Sequence, residues 1–372
     1  MKFEFKDFNI GDLRIDLPIV QGGMGVRVSS SSLASAVSNE GALGVIAAVG
    51  LGEGAEDETR DYKTRSRESL SSVIRETREK TRNPFGVNIM CALTNYDDLV
   101  RTAQDEAIDV IISGAGLPLK LPSLVTNKKT KLIPIVSSAR AAHIICATWK
   151  RRYNRLPDAI VLEGPLAGGH LGYSRAELND KEHYYLQGIL KEVLAVVREF
   201  ETDEIRIPII AAGGIFDGRD IADVMELGAS AVQMATRFVC TNECDASIKY
   251  KETYMHAKKE DIVIIQSPVG MPGRVIRNEF VDRITRGERV DFGCVYQCLA
   301  TCDPKKVNYC IAKALVSAYR GEMDKGFAMC GSNAFRIDKI VSVKELISEL
   351  VEDARCYLRE QVSTWRERLK KS

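Results

Sequence analysis

The chain has 372 residues, 45% of them hydrophobic, which is enough for one large domain or two with a buried core. Its 52 lysines and arginines nearly balance 51 aspartates and glutamates, so a net charge of +1 provides no overall field to attract nucleic acid or an anionic membrane. Charges interrupt the first apolar residues and no apolar run reaches membrane-spanning length, which predicts a cytoplasmic protein with no membrane span. Ten cysteines then indicate reduced thiols or metal ligands rather than disulfides.

Eight short apolar runs recur along the first part of the chain, and a helix-like segment follows most of them. This alternation predicts a (β/α)8 TIM barrel, because strands of a covered parallel sheet are apolar almost throughout. A doubly wound sheet is the competing architecture, but no G-x-G-x-x-G motif follows the first run. The predicted strands are 18–23, 42–49, 85–90, 110–116, 131–138, 159–164, 207–214 and 231–238.

Beyond the eighth run the pattern changes, and this predicts three parts. Residues 1–240 would form the barrel, 241–340 a smaller cap or substrate lobe with a cysteine cluster, and 341–372 a C-terminal helix packed on the barrel. Leu346, Leu350 and Ala354 are among the apolar residues at helical spacing in the last part. The same helix is a candidate contact for a homodimer.

A glycine-rich loop with one histidine, residues 161–172, is the first candidate for chemistry. Gly168 and Gly169 precede His170, and glycines let the backbone approach a flat ligand closely. Histidine titrates near neutral pH, which suits proton transfer. The alternative is a hydrogen-bonded structural histidine, because buried polar groups are generally satisfied in this way.

Glycines and polar residues end several other predicted strands, at the face where barrels place their active sites. Gly213 and Gly214 end the seventh strand, and Thr236 lies at the end of the eighth. Loops at these two positions commonly bind phosphate through backbone N–H groups. Gly22 and Asn88 would converge on the same face. The sequence therefore predicts a phosphorylated cofactor that carries a planar ring.

Four cysteines stand close together after the barrel. Cys294, Cys298 and Cys302 are four residues apart, and Cys310 follows eight residues later. Four thiolates suit a [4Fe–4S] cluster or a tetrahedral zinc ion. The absence of C-x2-C pairs argues against an ordinary zinc ribbon. Plain buried or free thiols are the third interpretation, because cysteine is a common core residue.

Six motifs stand in order along the predicted barrel. They are Pro18-Ile-Val-Gln-Gly-Gly-Met, Gly86-Val-Asn-Ile, Ser113-Gly-Ala-Gly, Glu163-Gly-Pro-Leu-Ala-Gly-Gly-His, Ala211-Ala-Gly-Gly-Ile and Gln233-Met-Ala-Thr-Arg-Phe. As a set they resemble the FMN-binding barrel family of nitronate monooxygenases, also called 2-nitropropane dioxygenases, and FabK-type enoyl-acyl-carrier-protein reductases.

The resemblance implies non-covalent FMN and a catalytic acid or base at His170. The cofactor-binding residues that it implies, together with those suggested by strand ends, are Gly22, Gly23, Met24, Asn88, Ser113, Gly114, Glu163, Gly168, Gly169, Ala212, Gly213, Gly214, Gln233, Met234, Ala235 and Thr236.

The cysteine run is similar to that of the FabX-type branch, which carries FMN together with a [4Fe–4S] cluster. This similarity implies Cys294, Cys298, Cys302 and Cys310 as cluster ligands. It also implies an acyl-carrier-protein dehydrogenase/isomerase of unsaturated fatty acid synthesis, with an electron acceptor such as O2. The alternatives are a nitronate monooxygenase, an NAD(P)H-dependent enoyl-acyl-carrier-protein reductase, and a flavin- and cluster-bearing redox sensor without turnover.

Overall fold

The computed structural model describes residues 7–53, 61–290, 293–294 and 296–371, with side chains through residue 360. Its strands are β1 (Phe8–Ile10), β2 (Leu13–Ile15), β3 (Ile19–Gln21), β4 (Gly44–Ala47), β5 (Phe85–Met90), β6 (Val110–Gly114), β7 (Lys131–Val136), β8 (Ile160–Glu163), β9 (Gly169–His170), β10 (Ile209–Ala212), β11 (Ala231–Met234), β12 (Ile262–Gln266) and β13 (Pro272–Ile276). Its α-helices are α1 (Ser31–Asn39), α2 (Tyr62–Lys80), α3 (Tyr96–Asp105), α4 (Leu121–Leu124), α5 (Ala139–Tyr153), α6 (Arg175–Asn179), α7 (Leu186–Arg198), α8 (Gly218–Glu226), α9 (Thr236–Val239), α10 (Ile248–Met255), α11 (Glu279–Thr285), α12 (Ile311–Tyr319) and α13 (Val343–Lys371). Short 3-10 turns occupy Lys259–Asp261 and Ala334–Arg336.

Eight parallel strands form one sheet in the order β3-β11-β10-β8-β7-β6-β5-β4. The first and last strands of this order also meet, since Leu43 N donates to Ile19 O at 2.9 Å and Gln21 N donates to Leu43 O at 2.9 Å. The sheet is therefore closed, and the predicted (β/α)8 barrel is confirmed. Each predicted apolar run contains one of these strands.

The eighth predicted strand is too long. β11 ends at Met234, and a short helix, α9, begins at Thr236. Phe238 is nevertheless fully buried, on a helix rather than on the strand. A short apolar run cannot distinguish a buried strand from a buried helical turn, and this accounts for the error.

Two apolar cores lie on opposite sides of the barrel wall. Inside the barrel, side chains such as Val45, Ile112 and Val161 pack together, and Phe8 and Ile10 of the β1–β2 hairpin join them. The hairpin thus belongs to the interior core, although no predicted element covers it. The larger core lies between the strands and the surrounding helices.

Residues after α9 form structure outside the barrel and add no further strand–helix repeat to it. β12 and β13 form an antiparallel pair, and β9, from the loop after β8, adds to the edge of β13. The predicted parts 1–240 and 241–340 therefore share a three-stranded sheet.

α13 packs along α8, and Arg237 on α9 pairs with Glu349 on α13 at 2.7 Å. In the described part of the chain, no helix has the length and apolar character needed to cross a membrane.

Candidate active site

A large cavity opens at the C-terminal ends of the barrel strands. Its empty volume, counting the open mouth, is about 1730 Å³. Strand ends line one side, while α10, α12 and the segments around residues 269, 299 and 330 line the other. The cavity therefore lies at the end of the barrel where enzymes of this fold bind their ligands.

Nearly all of the sequence-predicted cofactor residues line this cavity. Ser113 is the exception: it is fully buried behind the wall, where its hydroxyl donates to Ile89 O at 2.9 Å and lies 2.9 Å from Tyr96 Oη. The residues that do line it are Gly22, Gly23, Met24, Asn88, Gly114, Glu163, Gly168, Gly169, Ala212, Gly213, Gly214, Gln233, Met234, Ala235 and Thr236, together with His170.

His170 reaches the cavity from β9, where it pairs with Gly273 of β13. Its Nε2 lies 2.8 Å from Ser267 Oγ, and Ser267 is buried in the turn that connects β12 to β13. Nδ1 makes no hydrogen bond with any described residue. Burial lowers the pKa of His170 to about 4, so the ring is neutral at physiological pH and able to accept a proton.

Glu163, at the end of β8, is the second titratable group that faces the cavity. Burial raises the pKa of its carboxyl group to about 7. Tyr173 Oη donates to the backbone carbonyl of Glu163 at 2.9 Å and not to its carboxyl group. The carboxyl group lines the cavity and accepts no hydrogen bond from a described residue. Two groups with pKa values displaced in opposite directions are typical of catalytic and ligand-binding sites.

The backbone of Gly213 and Gly214 forms one corner of the cavity, which we call the glycine corner. Gly213 and Gly214 have φ angles of +95° and +89°, in the left-handed region that favours glycine. A Cβ on Gly213 would lie 2.8 Å from Gly164 O, so a side chain has no room there. These two residues can present backbone groups to a ligand at close range.

The segment 329–333 closes this corner, and the strand pattern did not predict its role. Gly331 N donates to Thr236 Oγ1 at 2.9 Å, and Asn333 Nδ2 donates to Gly214 O at 2.7 Å. A Cβ on Gly168 would approach within 2.6 Å of Gly331 N, so the histidine loop lies directly on this segment. The sequence contains one signal, a glycine followed by short polar residues at 331–333, but nothing local links it to the barrel.

The family model for nitronate monooxygenase matches residues 6–108 and 91–353. A nitronate monooxygenase of Pseudomonas aeruginosa is 29% identical over 92% of this chain and 97% of the relative. A (3aS,4S,5R,7aS)-5-hydroxy-7a-methyl-1-oxo-octahydro-1H-indene-4-carboxyl-CoA dehydrogenase of Mycobacterium tuberculosis is 30% identical over 74% of this chain and 67% of the relative.

Among solved structures, FabK from Thermotoga maritima superposes with a TM-score of 0.72 and 32% identity, covering 94% of this chain and 95% of that one. The chain belongs to the nitronate monooxygenase family. Members of this family are FMN-dependent oxidoreductases, and the chain is therefore an enzyme of that type.

The cavity of this nitronate monooxygenase family member contains polar atoms that suit FMN. Gln233 Oε1 and Ser332 Oγ are buried and have no hydrogen-bond partner among the residues that the structure describes. An unpaired buried polar atom costs roughly 1–3 kcal/mol, so a ligand with hydroxyl or imide groups would stabilise both. With the glycine corner at Gly213 and Gly214, these atoms fit a flavin that carries a phosphate.

The cysteine run lies beside the cavity, but it is not assembled as a metal site. Cys298 lines the cavity; burial raises the pKa of its thiol to about 12, and the nearby thiols of Cys310, Cys294 and Cys302 add to the rise. The four thiols are thus close enough to interact electrostatically. Among the described residues, however, no group of three or more His, Cys, Asp or Glu side chains is arranged to hold a metal ion. The predicted four-thiolate site is not formed in this structure.

Proposed function

We propose that the protein is an FMN-dependent dehydrogenase/isomerase of acyl thioesters, with an acyl chain delivered on a carrier protein. The observation that supports this substrate class most directly is the lining of the cavity. Besides the glycines and polar residues of the strand ends, the lining contains the apolar side chains of Val28, Val49, Leu299, Ile311 and Leu315. An uncharged acyl chain would fill such a space and gain from the removal of apolar surface from water.

The proposed cofactor is FMN, with Gly213, Gly214, Gln233 and Thr236 at its phosphate end and Gly22 and Asn88 near its ring. Bound FMN would supply the two-electron acceptor that takes a hydrogen with its electron pair from Cβ of the acyl chain. The remaining requirement is a base for the proton on Cα.

His170 is the proposed base. Nε2 is occupied by Ser267 at 2.8 Å, so Nδ1 is the nitrogen available to the substrate. The neutral ring takes the Cα proton as the Cβ hydrogen leaves with its electron pair, which gives the 2-enoyl thioester. After the ring has released that proton, it would move the double bond by taking a proton from Cγ and returning it to Cα. Ser267 holds the ring in one orientation, which keeps Nδ1 available to the substrate.

A nitronate monooxygenase activity is the second candidate, because the Pseudomonas aeruginosa relative matches along almost the whole chain. The cavity lining argues for the acyl substrate. No lysine or arginine of the described residues lines the cavity, so a small anion would find no cation there. An NAD(P)H-dependent enoyl reductase, as the FabK neighbour suggests, would use the same site in the opposite direction.

One anaerobic experiment separates these activities. The purified flavoprotein is mixed separately with an acyl-carrier-protein thioester, a saturated acyl-CoA, a nitronate and NADPH, and the flavin absorbance is followed. We expect bleaching by the acyl thioester. Bleaching by the nitronate alone would exclude the proposed substrate, and bleaching by NADPH followed by reoxidation with an enoyl thioester would favour the reductase.

We propose separately that Cys294, Cys298, Cys302 and Cys310 take up a [4Fe–4S] cluster. The thiols raise one another's pKa, and a metal centre would offset this repulsion because it binds thiolates. The test is iron and sulfide analysis after anaerobic purification, with Cys298→Ser beside the exposed Cys356→Ser as control. Loss of iron in the first variant and not in the second is expected. Wild-type protein with flavin but without iron would exclude the cluster.

A further inference from the structure

Arg274 is a buried arginine beside the histidine loop. Only 7% of its surface is exposed, and burial lowers the pKa of its guanidinium. None of the ion pairs among the described residues includes it. A buried cation without a carboxylate partner is costly, so its hydrogen bonds must serve a purpose that an apolar side chain could not.

The guanidinium of Arg274 binds two backbone carbonyls of the loop that leads to His170. Nη2 donates to Pro165 O at 2.9 Å, and Nη1 donates to Ala167 O. The planar fork of arginine suits such a pair of acceptors, whereas lysine offers a single charged nitrogen. The two bonds hold the loop at two points, three and five residues before His170.

The backbone of Arg274 connects two further parts of the site. On β13 it pairs with Gly169, and its neighbour Gly273 pairs with His170. Its carbonyl accepts from Cys330 N at 3.1 Å, next to the segment that closes the glycine corner. Side chain and backbone together bind the histidine loop, β9 and the 329–333 segment.

From these contacts we infer that Arg274 is a positioning residue that holds the loop so that the His170 ring faces the cavity. The inference rests on the proposed role of His170 as the base. Without the guanidinium, Pro165 O and Ala167 O would be buried and unpaired, and the loop would move to reach water. Gly169, at φ +74°, provides the flexible point at which such a movement would reach His170.

The test follows the ring of His170 directly. The chain has four histidines, so selective ring labelling and a His170→Gln reference spectrum identify the His170 signals by NMR. In the flavin-loaded wild type we expect the ring to stay neutral between pH 5 and 8, since its pKa is about 4. In Arg274→Met we expect the midpoint to rise by about one pH unit or more towards the ordinary value, because water enters beside the ring.

Two further measurements distinguish positioning from a general structural role. Turnover of the acyl thioester should fall about tenfold or more in kcat, with flavin content kept. Millimolar guanidinium should restore part of that rate to Arg274→Ala, because it can occupy the vacated fork. Arg155→Met is the matched control: Arg155 also binds a backbone carbonyl, Thr130 O at 3.1 Å, but between β7 and β8 at the opposite end of the barrel. It should change neither readout.

Failure of the positioning role of Arg274 and failure of the proposed substrate give different results. If the wild type turns over no thioester but Arg274→Met still shifts the His170 titration, the positioning role stands and the substrate proposal fails. A flavin-loaded Arg274→Met with an unchanged His170 titration overturns the inference. If Arg274→Met does not fold, Arg274→Lys decides in its place: it keeps one donor, and an unchanged titration together with unchanged kcat would overturn the inference equally.

Discussion

At His170, two features act on one imidazole ring. Burial keeps the ring unprotonated and the Ser267 hydroxyl fixes Nε2, so the basic nitrogen is present throughout the physiological pH range. We expect His170→Gln to lower kcat/KM by about 10²–10⁴-fold, the usual contribution of a positioned base. Stopped-flow measurement of flavin reduction by the acyl thioester checks this.

The matched control is His183→Gln, because His183 is exposed and its ring lies 2.9 Å from Asp180 on the surface. It should leave the rate unchanged. The pH dependence gives an independent check. A base with a pKa of about 4 loses its function only as the pH falls towards 4, so protonation of His170 should cause no decline in kcat/KM between pH 8 and 5.5. An unaltered flavin reduction rate in His170→Gln would remove this residue from the mechanism.

Glu163 makes the stability of the folded protein depend on pH, because burial raises its pKa, whereas burial lowers that of His170. Its pKa is about 7 when folded and near 4.5 when unfolded, so the unfolded chain releases the proton first as the pH rises. Stability from this group is complete below pH 4.5 and is lost as the pH rises through 7. Glu163→Gln cannot titrate, and it should stabilise the protein at pH 8 by on the order of 1–3 kcal/mol, towards the lower end because the carboxyl group lines a cavity with an open mouth.

The measurement for Glu163 is the difference in Tm between variant and wild type at several pH values. The difference should be near zero at pH 4.5 and grow to its maximum above pH 7. The exposed Glu192→Gln on α7 serves as control and should show no such growth. Parallel Tm curves for Glu163→Gln and wild type would mean that the carboxyl group is ionised in the folded protein at neutral pH.

At the scale of the secondary-structure elements, variants in the turn after β10 can test whether its backbone binds the cofactor. Gly213 and Gly287 both have positive φ angles, +95° and +82°, so alanine at either site brings about 1 kcal/mol of backbone strain. Only Gly213→Ala also places a Cβ against Gly164 O, at 2.8 Å, whereas a Cβ on Gly287 meets nothing within 4 Å. We expect Gly213→Ala to purify with much less flavin and Gly287→Ala to keep it, as read from absorbance per protein. Equal flavin content in the two would contradict the glycine corner as a binding site.

The elements also show which parts of the site are visible in a sequence. Several barrel strands are apolar runs that end in, or are followed directly by, glycine or a polar residue, and the closed parallel order brings those ends together at one face. Local pattern was therefore sufficient to place Gly22 and Gly213 at the cavity. Ser113 was misplaced because the alternation of side chains along β6 turns it behind the wall towards Tyr96, which no local pattern specifies.

Residues that reach the site from outside the repeat could not be predicted in the same way. Ser267 and Arg274 meet the histidine loop about one hundred residues away in sequence, through the pairing of β13 with β9. Arg274 follows the eighth predicted strand in the sequence, yet it is buried. Its role follows from two carbonyl acceptors that only the folded chain brings within reach.

At the scale of the whole molecule, α13 supports the barrel from the outside, opposite the side chains that fill its interior. Leu346, Leu350 and Ala354 are fully buried, and Gly218, the first residue of α8, lies directly against the backbone of α13. This contact places α13 against α8, which follows the turn that contains Gly213 and Gly214. We therefore expect the C-terminal helix to support the glycine corner, although none of its described side chains lines the cavity.

A pair of glycine variants tests this arrangement. A Cβ on Gly218 would lie 2.1 Å from Ala354 N, and two backbones would have to separate. A Cβ on Gly188, within α7, would lie nearest to the ring of Tyr185, at 2.8 Å, and that residue is 48% exposed, so its ring can turn aside. We expect Gly218→Ala to destabilise the protein by about 2–4 kcal/mol through loss of packing between α8 and α13. Gly188→Ala should be neutral or stabilising by up to about 1 kcal/mol, because alanine favours the helix. Urea unfolding measures both, and equal stability in the two variants would mean that α13 yields without cost and does not hold α8 in place.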